Sequence, residues 1–204
     1  MNCAVFMDRD GTITKEKNYI SDPKKVELLP TSAEAIKLLN SKEFKVLVVT
    51  NQSGVERGYF SLETLHKVNK KILGLLKPEG AHIDKIYFCP HRPEDNCECR
   101  KPNPGMLNQA KKEFNVDLKH SYIIGDRPED IELGRRAGLK TILVLTGYGK
   151  EVLKLIKPEF EIKELSETEE ILSDYGKSTL RSVNPDFVAK NLLEAANWIC
   201  EKIK

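Results

Sequence analysis

Five short apolar runs punctuate the chain, at residues 4–7, 46–49, 86–88, 122–124 and 141–145. Each is rich in β-branched or aromatic residues and lacks polar alternation, as expected of a strand buried on both faces. Between the runs the apolar positions change to helical spacing. Thr31-Ser-Ala-Glu34 has the form of a capping box leading into Ala35, Ile36, Leu38 and Leu39. Ser61 opens a second helix, with Leu62, Leu65, Val68, Ile72, Leu73 and Leu76 on one face. A third carries Met106, Leu107, Ala110 and Phe114, and a fourth runs from Pro128 to Ala137 with Gly138 as its stop. Strands alternating with helices predict an α/β fold, a Rossmann-like three-layer sandwich around a mostly parallel sheet.

The pattern weakens past Gly149. Residues 150–177 read as a charged helical excursion, 186–188 as a last short strand, and 190–203 as an amphipathic helix carrying Leu192, Leu193, Ala196 and Ile199. There is no internal repeat. The chain is expected to be one domain over 1–204, with a C-terminal extension at 150–204 and no large cap domain.

In parallel sheets, ligands bind beyond the carboxyl ends of the strands. There the sequence reads Asp8-Arg-Asp10-Gly-Thr12, Thr50-Asn-Gln-Ser53-Gly, Cys89 and Gly125-Asp126. Asp8 and Asp10 can point into one space if the backbone bends between them, dividing the work of nucleophile and general acid/base. A polar turn that caps a helix uses the same residues. Asp126, from another strand, would join Asp8 in holding a hard cation such as Mg²⁺, or would cap the helix that starts at Pro128. Asp130 has the position of a first-turn acid. The Thr50 hydroxyl and the backbone before Gly54 suit a phosphoryl oxygen.

Cys89, His91, Cys97 and Cys99 fall within eleven positions. Three thiolates and an imidazole fill all four places of a tetrahedral zinc ion, so the predicted site is closed and structural. Lys101 follows directly and is pinned by Pro102. Cys3 and Cys200 lie among apolar residues and are expected to be buried thiols. With 33 Lys+Arg against 31 Asp+Glu, the net charge of +2 gives no footprint for nucleic acid or a membrane surface. No apolar run approaches the ~18 residues of a membrane helix, and the first residues do not form a signal peptide. A cytoplasmic monomer is expected.

Taken together, Asp-x-Asp-Gly-Thr, Thr-Asn, Lys-Pro and Gly-Asp-x-x-x-Asp resemble the haloacid dehalogenase-like superfamily of aspartate-nucleophile phosphohydrolases, over residues 4 to about 148. The cysteine–histidine cluster resembles its zinc-loop branch. The resemblance implies that Asp8 attacks phosphorus and that Asp10 protonates the leaving alcohol, then activates water. It also implies Mg²⁺ on the Asp8 carboxylate, the Asp10 carbonyl and Asp126, with Thr50 and Lys101 stabilising the transferring group. That branch acts on heptose 1,7-bisphosphates or on histidinol phosphate. The stretch Glu16-Lys17-Asn18-Tyr19, together with Thr50, Asn51, Gln52, Ser53, Arg57, Arg100 and Lys101, is implied to contact substrate. Neutral Ser53 and cationic Arg57 and Arg100 favour the sugar bisphosphate over the cationic histidinol ester. A short zinc loop and Arg127 point towards histidinol phosphate. A zinc-binding interaction module and a non-catalytic scaffold are the readings from other classes. The first predicts a basic aromatic face that the chain lacks, and the second predicts loss of one of Asp8, Asp10, Lys101 or Asp126.

Overall fold

The six strands of a computed structural model, which describes residues 1–156 and 183–203, form one wholly parallel sheet. They are β1 (Ala4–Met7), β2 (Lys45–Asn51), β3 (Lys85–Cys89), β4 (Tyr122–Gly125), β5 (Lys140–Val144) and β6 (Phe187–Ala189). Their order is β3-β2-β1-β4-β5-β6, with every neighbouring pair parallel. The chain therefore builds outward from β1 to one edge, then returns beside β1 and builds to the other. That reversal opens a crevice between the ends of β1 and β4.

Strand alternation divides the core into two layers. Val5, Met7, Val46, Val48, Ile124 and Ile142 face α1 (Ser32–Ser41), α2 (Leu62–Leu76) and α6 (Leu192–Lys202). Ala4, Phe6, Leu47, Val49 and Ile123 face α3 (Gly105–Phe114) and α4 (Pro128–Ala137). A short α5 (Gly149–Ile156) packs Val152 beside Leu143 and Ile131. The expected three-layer sandwich is present, and the described residues form no separate cap. The expected excursion at 150–177 coincides with α5 at its start, and 157–177 lies outside the described residues.

Several local expectations need correction. Thr31 precedes α1 with φ +66, and its hydroxyl makes no capping bond, so there is no capping box. Ser61 does cap α2, accepting from the Thr64 N–H at 3.1 Å. The buried stripe of α2 is Leu65, Val68, Ile72 and Leu76, while Leu62 and Leu73 are exposed. Leu73 follows Ile72 by one residue, a rotation of about 100° that carries it off the stripe. The backbone N–H of Arg127 at the start of α4 is capped by Asp130 at 3.1 Å, which frees Asp126 from that role. Cys3 and Cys200 are half-buried rather than buried. No helix among the described residues is long and apolar enough to cross a membrane.

Candidate active site

The crevice gathers five side chains from the ends of four strands. Asp8 leaves β1, Thr50 ends β2, Lys101 follows the cysteine loop, Asp126 leaves β4 and Asp130 sits in the first turn of α4. Lys101 Nζ donates to Asp8 Oδ1 and Asp130 Oδ1, each at 2.7 Å, and to the Val49 carbonyl at 2.9 Å. All three donor positions of the ammonium are used, and Lys101 is only 4% exposed. Burial would lower its affinity for a proton, but the charges of Asp130 and Asp8 outweigh that and hold it protonated. Asn51, which lines the cleft, also clamps the Lys101 backbone: its side chain accepts from the Lys101 N–H at 3.0 Å and donates to the Lys101 carbonyl at 3.3 Å.

Asp8, Asp126 and Asp130 form one acidic cluster, all buried. Asp126 accepts from Thr12 Oγ1 at 3.0 Å and from the Tyr148 N–H at 2.9 Å. Glycines make that placement possible. A Cβ on Gly11 (φ +82) or Gly147 (φ +51) would stand 2.2 Å from Asp126 Oδ2. Burial, then the charges of Asp8 and Asp130, raise the Asp126 carboxyl well above the ordinary range. Burial likewise pushes Asp130 up to about 7 against the pull of Lys101. Lys101 touches Asp8 and Asp130 but makes no hydrogen bond to Asp126. Three hard oxygen donors with one neutralising cation among them are a fitting receptor for a divalent cation such as Mg²⁺.

Asp10 is held differently. Arg9, 1% exposed, donates from Nε to both Asp10 oxygens at 3.1 and 3.0 Å and from Nη2 to Oδ2 at 2.6 Å. Its remaining groups reach Asn69 at 3.0 Å and Gln52 at 2.9 Å. Gln52 donates to Asp10 at 3.0 Å and to Thr50 Oγ1 at 2.9 Å, and Thr14 Oγ1 adds a bond at 3.1 Å. Burial alone would raise the Asp10 carboxyl, but the Arg9 charge and these hydrogen bonds hold it below the usual carboxylate range.

The surrounding cleft of about 120 Å³ is lined by Asp8, Asp10, Thr50 and Lys101 and, around them, by Glu16, Asn18, Tyr19, Asn51, Gln52, Ser53, Arg100, Arg127 and Glu129. Lys17 is not brought into it, because its ammonium is tied to Glu27 and to the Lys25 carbonyl. Arg57 lies in a neighbouring groove of about 420 Å³ that shares Arg100, Lys101 and Glu129 with the cleft. Asn18 accepts from Tyr148 Oη at 3.1 Å, and Tyr19 packs edge-on against Tyr59 at 4.8 Å. Burial and the Asp10 charge raise the Glu16 carboxyl despite Arg127. The Arg127 guanidinium lies 4.0 Å over the Tyr148 ring. Arg9, Arg127, Glu129 and Asp130 were not among the expected site residues. The Gly-Asp-x-x-x-Asp spacing carried the signal for Asp130.

Beside the groove, Cys89, His91, Cys97 and Cys99 converge. Cys89 and Cys97 Sγ are 3.4 Å apart, Cys97 and Cys99 Sγ 3.5 Å, and His91 Nδ1 lies 3.6 Å from Cys89 and 3.2 Å from Cys99. A tetrahedron with Zn–S of ~2.3 Å has edges of roughly 3.8 Å, so the cluster needs only slight expansion to hold zinc. Arg100 donates to the His91 carbonyl at 3.3 Å and Asn103 to the Cys97 carbonyl at 2.8 Å, which ties the loop to the cleft.

The Hydrolase_like family model, HAD-hydrolase-like, matches residues 98–168. The D-glycero-beta-D-manno-heptose-1,7-bisphosphate 7-phosphatase of Helicobacter pylori strain J99 is 40% identical over 146 residues, 71% of this chain and 84% of that one. The enzyme of the same name from Pseudomonas aeruginosa is 38% identical over 156 residues, 76% of this chain and 88% of that one. Among solved structures, the D,D-heptose 1,7-bisphosphate phosphatase of B. bronchiseptica, complexed with magnesium and phosphate, superposes with a TM-score of 0.78 at 30% identity, covering 99% of both chains. The chain therefore belongs to the haloacid dehalogenase-like family of D-glycero-D-manno-heptose 1,7-bisphosphate 7-phosphatases.

Proposed function

We propose that this protein hydrolyses the 7-phosphate of D-glycero-D-manno-heptose 1,7-bisphosphate, with Asp8 as nucleophile and Mg²⁺ and Zn²⁺ as catalytic and structural ions. The observation that carries the proposal is the Lys101 ammonium shared between Asp8 and Asp130, with Asp126 completing the cluster at the strand-order reversal. The names and the magnesium- and phosphate-bound state of its relatives support it.

Asp8 attacks phosphorus in line with the ester oxygen. The P–O bond to C7 breaks, and Asp10 supplies the proton that the alcohol takes away. Asp10 then removes a proton from water as it attacks the aspartyl phosphate, which frees inorganic phosphate and restores Asp8. A dianionic ester entering the cleft opposes the Arg9 field and raises Asp10 towards protonation. Mg²⁺ held by the Asp8 carboxylate, the Asp10 carbonyl and Asp126 would offset the repulsion between phosphate and nucleophile. Lys101 adds positive charge on the phosphoryl oxygens, and Thr50, fixed by Gln52, offers a hydroxyl. Arg57 and Arg100 in the adjoining groove suit the second phosphate. Arg127 lines the reacting cleft rather than that groove, between Glu16 and the Tyr148 ring. We place the enzyme in the cytoplasm as a monomer with no nucleic-acid or membrane partner.

The test has two arms. Asp8→Asn should keep its circular dichroism and melting profile and lose turnover at saturating Mg²⁺. Substantial activity in that variant would remove Asp8 from the nucleophile role. For the unaltered enzyme, kcat/KM should be highest on a heptose 1,7-bisphosphate when both anomers, histidinol phosphate and fructose 1,6-bisphosphate are compared. A preference for histidinol phosphate would overturn the substrate.

A further inference from the structure

Two residues that line the groove beside the reacting cleft, Glu129 and Arg57, each carry a buried polar atom with no hydrogen-bond partner among the described residues, although the Arg127 charge also acts on Glu129. Glu129 is the second residue of α4 and 8% exposed, and it lines both the cleft and the groove. Its Oε2 is shut off from solvent and has no hydrogen-bond partner among the described residues. The same holds for Arg57 Nε on the groove wall. A buried acceptor or donor without a partner is costly, and folded chains keep few of them. One groove wall thus carries both a buried acceptor and a buried donor.

The composition of the groove restricts which ligand would pair them. Arg57, Arg100 and Lys101 call for an anion. A carboxylate only accepts hydrogen bonds, so beside an anion alone Glu129 would be repulsive. It becomes favourable when the ligand also carries O–H donors. An ammonium group would also satisfy Glu129, but three cations around the same groove oppose one.

We propose that Glu129 is a specificity-determining residue, whose carboxylate accepts a hydrogen bond from a hydroxyl of a polyhydroxylated phosphate ester held at its other end by Arg57 and Arg100. The proposal rests on the sugar-bisphosphate reading above and assigns that reading a residue for the sugar rather than for either phosphate. Glu129 then discriminates against phosphate esters without the hydroxyl, because they leave its buried oxygen unpaired.

The experiment compares kcat/KM of the unaltered enzyme, Glu129→Gln and Glu129→Ala on the heptose 1,7-bisphosphate and on p-nitrophenyl phosphate. Glu129→Ala should lose roughly 10–100-fold more on the sugar bisphosphate than on the aryl ester, the factor carried by a hydrogen bond to a charged group. Glu129→Gln keeps an acceptor and should lose less. A second arm needs no altered protein to fold. Monodeoxy analogues of the sugar bisphosphate are assayed on the unaltered enzyme, and one should fall by a similar factor. On Glu129→Ala that same analogue should be no worse than the full sugar. Equal losses on both substrates, a loss confined to aminoalkyl phosphates, or deoxy penalties identical in both proteins would overturn the assignment. The two readings fail separately. If the unaltered enzyme does not prefer sugar bisphosphates to the aryl ester, the function is wrong; if it does and Glu129→Ala retains that preference, only the role of Glu129 is wrong.

Discussion

Arg9 and Asp10, neighbours in sequence, fold their side chains onto each other as an ion pair of 2.6 Å, with Arg9 fully enclosed. Adjacent residues leaving a strand ordinarily point to opposite faces. Here the chain bends after β1: the Ile13 and Thr14 N–H groups both donate to the Arg9 carbonyl at 2.9 Å, and the turn brings the two side chains together. Asn69 of α2 and Gln52 beyond β2 complete the enclosure, so Asp10 takes its orientation from three separate segments.

Replacing Arg9 should therefore damage both stability and chemistry. Arg9→Met leaves the Asp10 carboxylate without its cation and strands Asn69 and Gln52, a change expected to cost about 3–5 kcal/mol. Urea titration reads the loss. Misaligned Asp10 should slow alkyl phosphates more than p-nitrophenyl phosphate, whose leaving group departs without a proton. Equal slowing on both esters would mean that Arg9 does not act through Asp10.

The carboxylates impose opposite pH dependences. Asp10 is more acidic folded than its ordinary 3.8, so its contribution is present above that value and is lost as pH falls below it. Asp126 and Asp130 bind protons more tightly when folded, Asp130 up to about 7. Their contribution is complete at low pH and is lost as pH rises from 3.8 through the raised values. Without metal, Tm should accordingly decline between about pH 5 and 8. Added Mg²⁺ should raise Tm more at the upper end, since it replaces the missing proton. A Tm gain independent of pH would place the ion elsewhere.

The sequence pattern made the strand ends legible because buried parallel strands are short, apolar and followed by turns. The strand ends place Asp8, Asp10, Thr50 and Asp126 at one edge of the sheet, and the resemblance adds Lys101 behind the cysteine loop. The cysteine cluster was legible for another reason, since its ligands lie close together in the chain. Arg9 and Asn69, in contrast, lie 60 residues apart and meet only through tertiary packing. Glu129 has the sequence appearance of a first-turn acid, and what distinguishes it is a buried Oε2 with no hydrogen-bond partner among the described residues. Nothing local in the sequence reveals that Glu27 holds the Lys17 ammonium away from the cleft. Helix faces are harder to read for the same reason: Leu62 and Leu73 fit an apolar stripe by spacing, yet no layer among the described residues covers them.

Stripping zinc should loosen the loop that carries Arg100 while sparing Lys101, which has its own anchors on Asn51 and Val49. Zinc held at 100 times its Kd contributes about 2.7 kcal/mol, so Cys97→Ser should lower Tm by roughly 5–11 °C for a domain of this size. KM for the sugar bisphosphate should rise more than kcat falls. Mass spectrometry of the native protein should find one zinc per chain, and active protein without zinc would sink the structural role.

Arg57 and Arg100 line one groove, and Arg100 alone also reaches the reacting cleft. If the groove receives the phosphate that is not cleaved, the effect of each arginine depends on whether that phosphate exists. Arg57→Ala should lower kcat/KM for the heptose 1,7-bisphosphate by about 1.5–3 kcal/mol, the scale of a hydrogen bond to a charged group. On the heptose 7-monophosphate the same change should cost far less, since no anion occupies the groove. Arg100→Ala should show the same dependence with an added loss on both substrates, because its guanidinium also borders the transferring group. Its bond to the His91 carbonyl means that some of this loss is loop disorder, which a double variant with Cys97→Ser separates. Additive losses would show two independent roles, whereas a double variant no worse than Cys97→Ser alone would mean that zinc acts through Arg100. Equal effects of Arg57→Ala on bisphosphate and monophosphate would remove the second phosphate from the groove.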